Sequence, residues 1–166
     1  MSRPLLFLDV DGPLNPYAAK PERRPAGYAT LRVPQEVSEA AELGFRHRRP
    51  LRLWLNPCHG PALMALPYEL CWATELPFVD ALLNERPDGV HWKTEPLVAY
   101  ANGRPFAWVD DEQSDADQAH VAAHHTAPVL LHRVNPRIGL QDDDFTALAA
   151  FAAVGPSASL GSPNGA

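Results

Sequence analysis

Residues 5–10 read LLFLDV, and Asp11-Gly12 follow at once. Successive side chains of a strand point to opposite sides, so a run apolar at neighbouring positions is apolar on both faces. Such a strand must be covered twice, which suits a parallel sheet held between helical layers. Runs of the same kind recur at residues 70–73, 106–109 and 129–134, each short and most bounded by Pro, Gly or Asp. Three later segments carry helix signals. Residues 94–101 open on Thr94 as an N-cap with Pro96 in the first turn, and stop before Asn102-Gly103. Residues 114–125 start on acids and finish on histidines, the order that suits a helix dipole. Residues 142–153 begin with three acids and then place Phe145, Leu148, Ala149 and Phe151 at helical spacing. Strand and helix in alternation predict an α/β fold, a three-layer Rossmannoid domain with a parallel sheet.

Two stretches alternate instead. Residues 28–33 and 51–55, the second reading LRLWL, predict an antiparallel hairpin outside the main sheet. Between them the cluster from Arg46 to Arg49 reads as a solvated loop beside that hairpin. With 166 residues the chain fits one domain, assigned to residues 1–153, and the aperiodic end at 154–166 reads as a disordered tail. A net charge of −6 argues against a nucleic-acid grip by bulk electrostatics. No stretch approaches the ~20 apolar residues of a membrane helix. Cys58 and Cys71 make no disulfide framework, so a reduced, cytoplasmic setting is the expectation. Both read as small buried side chains, because with His59 and His91 they match no common zinc spacing. All four tryptophans fall in strand-like runs and are expected in the core.

In a parallel sheet, ligands gather at the carboxyl ends of strands. Asp9 and Asp11 close the first run, and alternation would put both carboxylates on one face. Asp110-Asp111 close the FAWV run, Thr74 follows LCWA, and Lys93 follows a fourth short run, Val90-His91-Trp92, at the start of a helix. Four carboxylates brought together repel one another, and a single ammonium cannot balance them. A hard divalent cation can, and an oxygen-only set of this kind selects Mg²⁺. With the charge offset, one Asp is free to act as a nucleophile and another as a proton shuttle.

The order DxDG (Asp9 to Gly12), Thr74, Lys93 and Asp110-Asp111, each at an expected strand end, resembles the haloacid dehalogenase superfamily. The resemblance spans residues 5–151. It implies a Mg²⁺-dependent phosphohydrolase acting through an aspartyl-phosphate, with Asp9 as nucleophile and Asp11 as general acid/base. Thr74 and Lys93 would hold the phosphoryl group. Asp9, Asp110, Asp111 and the backbone carbonyl of Asp11 would bind the metal. Residues 12–17 and the hairpin would correspond to the family's tight turn and flap, with no large cap. Residues 76–86 would then supply the crossover helix after Thr74. A site without a large cap admits varied phosphorylated substrates, or is covered by a second copy of the chain. The alternative is a relative that keeps the carboxylates and binds metal or a partner without turnover.

Overall fold

The computed structural model describes residues 3–33, 50–74 and 87–154. Four strands form the main sheet: β1 (Leu5–Leu8), β4 (Glu69–Trp72), β5 (Phe106–Asp110) and β6 (Val129–Arg133). Their order is β4-β1-β5-β6, and every neighbouring pair is parallel. Alternation sorts the side chains into two cores. Leu6 and Leu8 of β1 and Ala107 and Val109 of β5 pack with Leu63 of helix α1 (His59–Ala65) and Leu148 and Ala152 of α4 (Asp142–Val154). On the other face, Leu5, Phe7, Phe106 and Trp108 pack with Leu97 and Ala101 of α2 (Thr94–Ala101) and Val121 of α3 (Asp115–His124). The domain is therefore α/β, a parallel sheet with helices on both faces. The second sheet is the expected hairpin, β2 (Ala29–Val33) against β3 (Leu51–Leu55), antiparallel and separate from the first. Among the described residues, no helix is long and apolar enough to cross a membrane.

Several expectations change. α1 has no counterpart in the sequence reading. It is seven residues long, has no side-chain N-cap and carries Gly60 and Pro61 in its first turn, so it shows none of the usual start signals. Val90-His91-Trp92 is not a strand but part of a turn-rich segment before α2. Its donors go to side chains instead of a ladder: Val90 N–H to Asp88 Oδ1 at 3.1 Å, and His91 N–H to Asp117 Oδ1 at 2.7 Å. Thr94 is the first residue inside α2, with Lys93 in the cap position, and its hydroxyl donates to Asp117 rather than capping its own helix. Trp72 is 69 % exposed on β4, an edge strand of the described sheet. Trp54 and Trp108 are buried as expected. Cys58 is exposed beside α1 and so is not a core residue, while Cys71 is half-buried and packs against the second core. The expected crossover at residues 76–86 and the cluster from Arg46 to Arg49 lie outside the described residues, as does the tail from 155 onward; Val154 closes α4.

Asp117 joins α2, α3 and the turn-rich segment before α2. Its carboxylate accepts Ser114 N–H at 2.8 Å and Ser114 Oγ–H at 2.7 Å, completing a capping box at the start of α3. The same carboxylate accepts the His91 amide and the Thr94 hydroxyl. Burial alone would raise its pKa, but these donors outweigh that and hold it below the usual carboxylate value. A depressed folded-state pKa stabilises the native state above the unfolded value and ceases to do so as pH falls through the folded one. Asp117→Ala is therefore expected to cost about 3 kcal/mol at neutral pH, since it removes a cap and strands buried donors. Denaturant unfolding at neutral pH and near pH 3 checks this, with the difference shrinking in acid.

Candidate active site

The chain leaves β1 toward β4 on one side, and later leaves β5 toward β6 on the other. The crevice beyond the carboxyl ends of β1 and β5 is thus the switch point of the sheet, the usual place for a ligand in an open α/β fold. Asp9 and Asp110 meet there because the β1–β5 register pairs Leu8 with Val109, and Asp9 N–H donates to Val109 O at 3.0 Å. Asp9, Asp110 and Asp111 are all buried, and each offers an oxygen within 4.8 Å of the others.

Lys93 reaches this cluster from the start of α2. Its Nζ stands 2.9 Å from Asp110 Oδ2 and 3.4 Å from Asp9 Oδ1, and the side chain is 4 % exposed. Burial alone would lower its pKa, yet the two carboxylates more than offset that and raise it, so it remains an ammonium. The backbone that presents it is fixed in turn: Lys93 N–H donates to His91 Nδ1 at 3.2 Å, while His91 Nε2 faces Glu112 Oε2 at 3.2 Å. Asp110 also accepts Trp108 Nε1–H at 3.1 Å and Glu112 N–H at 3.0 Å. Arg133 Nε–H holds the carbonyl of Asp111 at 3.1 Å, and the Tyr17 hydroxyl lies 3.2 Å from Asp111 Oδ2.

One ammonium against three carboxylates leaves two formal negative charges without a counter-charge. The pKa values respond accordingly. Asp9 is raised from 3.8 to about 6, mainly by burial and against the attraction of Lys93, with Asp110 adding repulsion. Asp111 is raised by burial and by Asp110. A small oxygen-bound cation of charge two fits this donor set in both charge and hardness.

Asp11 takes a different position from the one alternation implied. β1 ends at Leu8, the chain turns at Val10, and Asp11 is exposed, outside the carboxylate trio. Its Oδ1 accepts Asn15 Nδ2–H at 2.7 Å, and Asn15 Oδ1 accepts the backbone N–H of Trp54 in β3 at 3.1 Å. Asn15 is therefore a clamp between the loop bearing Asp11 and the hairpin, and it is 5 % exposed. The sequence reading passed over it, although a lone Asn between Leu14 and Pro16 in a loop is a usable signal for side-chain-to-backbone bonding. Gly12 turns this loop at φ +93°, and a Cβ there would stand 2.3 Å from Asp111 Oδ1. That position must be glycine for Asp111 to stay where it is.

A cleft of ≈ 710 Å³ opens over the cluster. Asp9, Asp11, Thr74, Lys93 and Asp111 all line it, as do Tyr17 and, from the hairpin, Arg32 and Arg52. Thr74 is brought to the Asp9 end of the sheet because Ala73 N–H continues the β1–β4 ladder to Leu8 O at 2.9 Å. The structure thus brings the candidate site residues to one end of the sheet: Asp9, Asp110 and Asp111 cluster, Lys93 touches Asp9 and Asp110, and Asp11 and Thr74 line the cleft. Compared with family models, curated proteins and solved structures, the chain finds no match.

Asp9 binds a proton more tightly folded than unfolded, so between about pH 4 and pH 6 the native state holds more protons and stability falls as pH rises. A shift of this size amounts to roughly 2–3 kcal/mol. In chelator-treated buffer, Asp9→Asn is expected to be more thermostable than the parent above about pH 7, with the advantage closing toward pH 4. Melting curves across that range test it, and a pH-independent difference would contradict it.

Proposed function

We propose that the protein is a Mg²⁺-dependent phosphohydrolase of the haloacid dehalogenase type, acting through an aspartyl-phosphate. The observation that carries this reading is the buried Asp9–Lys93–Asp110 contact at the switch point, with Asp111 beside it. Asp9, Asp110 and Asp111 would hold the ion, with the backbone carbonyl of Asp11 as a further donor. When bound, Mg²⁺ supplies charge neutralisation for the transferring phosphoryl group.

The chain's own groups divide the remaining work. One Asp9 oxygen attacks phosphorus as the bond to the leaving oxygen breaks, giving an acyl phosphate on Asp9. Asp11, on the exposed wall and steadied by Asn15, donates a proton to the leaving oxygen. It then takes a proton from the water that attacks the phosphorus of the acyl phosphate, releasing inorganic phosphate and restoring Asp9. Lys93 and Thr74 hold the non-bridging oxygens, and the ammonium offsets charge there at no cost of reorganisation. Burial raises the Asp9 pKa to about 6, and cation binding and ionisation of Asp9 favour each other.

Hydrolysis of an aryl phosphate should require added Mg²⁺, and Asp9→Asn should lower it by more than about a thousandfold. Turnover undiminished in Asp9→Asn would remove Asp9 as nucleophile. Mg²⁺ binding without turnover across a panel of phosphate esters would favour the non-catalytic relative. Gly12→Ala should weaken Mg²⁺ binding by about tenfold or more, because its Cβ displaces Asp111. Calorimetric titration of the ion measures this directly.

A further inference from the structure

The hairpin wall of the cleft carries a cationic pair that phosphoryl transfer at Asp9 leaves unused. Arg32 of β2 and Arg52 of β3 are direct cross-strand partners, and both line the cleft. Like charges set opposite one another destabilise an antiparallel pair. Among the described residues, neither guanidinium forms a salt bridge that would relieve this. The acids across the cleft, Asp9, Asp11, Asp111 and Glu112, are thus near enough to share a cavity but do not pair with the arginines.

Arg52 is also braced. Its guanidinium carbon lies 4.1 Å from the centroid of the Trp54 ring. Trp54 is in turn fixed by Asn15 at its backbone N–H and by Thr30 Oγ1, 2.9 Å from its indole nitrogen. A stacked arginine keeps its planar fork oriented, which lowers the ordering cost of binding an oxyanion. The clamp residue Asn15 therefore connects the arginine wall to Asp11, so the two sides of the cleft are held by one side chain.

We infer that Arg32 and Arg52 form a second anion subsite, and that the substrate is a phosphate monoester whose leaving group carries another phosphate. The inference rests on the phosphohydrolase reading for the first phosphate only. Two guanidiniums match the charge and the several oxygens of a phosphate dianion, whereas a carboxylate would leave one cation uncompensated. A cleft of ≈ 710 Å³ has the size of a site for a whole small molecule rather than for one phosphate ion.

The test uses alkanediol bisphosphates of three to six carbons, each set against the alkyl monophosphate of the same length. In the Asp9→Asn protein with Mg²⁺, calorimetry should give at least about tenfold tighter binding of the best bisphosphate over its monophosphate. Adding Arg32→Gln and Arg52→Gln should bring that ratio to near one. Arg32→Lys with Arg52→Lys, which keeps the charge and loses the fork, should give an intermediate ratio. A ratio near one in the parent, or a ratio unchanged by the double Gln substitution, overturns the subsite. An equal loss for both ligand types leaves the ratio unchanged and counts against it in the same way. Steady-state assays of the otherwise unaltered protein separate the two readings. An Arg-dependent bisphosphate preference in binding, with neither ligand hydrolysed, keeps the subsite and removes the phosphohydrolase. Hydrolysis of both ligands, with no such preference, does the reverse.

Discussion

The ammonium of Lys93, held between Asp110 and Asp9, is the contact on which the rest of this molecule depends. A buried lysine is tolerable only with carboxylates against it, and buried carboxylates are tolerable only with a cation. Each side therefore accounts for the burial of the other, and neither is explained by packing alone. The pair also ties the ends of β1 and β5 to the start of α2, so the sheet and its covering helix share one electrostatic joint. Behind it stands a purely structural carboxylate. Asp117, with no place in the cleft, fixes His91 and Thr94 on either side of Lys93. The two buried acid systems behave in opposite ways. Asp117 has enough donors to keep its pKa low, while Asp9 and Asp111 do not and are pushed up. A buried carboxylate cluster short of positive charge is one that could hold a metal ion.

The loop after β1 does for geometry what Lys93 does for charge. Gly12 lets the backbone pass so close to Asp111 that no side chain could fit, and Asn15 reaches from that loop to both Asp11 and the hairpin. Through Trp54 the hairpin is packed with Tyr28 and Ala19, a small core separate from the two that cover the sheet. The wall that carries Arg32 and Arg52 is thereby attached to the loop after β1 rather than standing free. On the proposed function, substrate discrimination and proton transfer would be coupled through one buried amide.

Much of this was legible in the residue order. The apolar runs at β1 and β5 could only be doubly covered strands, and the acids at their ends could only be near one another if the sheet was parallel. Helices α2, α3 and α4 declared themselves by acids, caps and a terminal Asn-Gly. The failures share a cause. The segment before Lys93 looks like a strand, yet Asp88 and Asp117 take its amide donors, and a partner 26 residues away leaves no local mark. Trp72 was assigned to the core because its neighbours are apolar, but only the strand order makes β4 an edge of the described sheet. Asp11 left the carboxylate cluster because β1 stops at Leu8, and a strand's end depends on where its partners run out.

The sequence by itself determined the alternation of strands and helices and the residue types at the strand ends, with their excess of acids, because periodicity and residue type are local properties. Only the tertiary structure decided which carboxylates touch, that Lys93 lies between two of them, that Asn15 joins loop to hairpin and that two arginines face the same cleft. Those outcomes depend on sheet order and strand register, which bring Asp9 beside Asp110 and Arg32 opposite Arg52 from positions far apart in the chain.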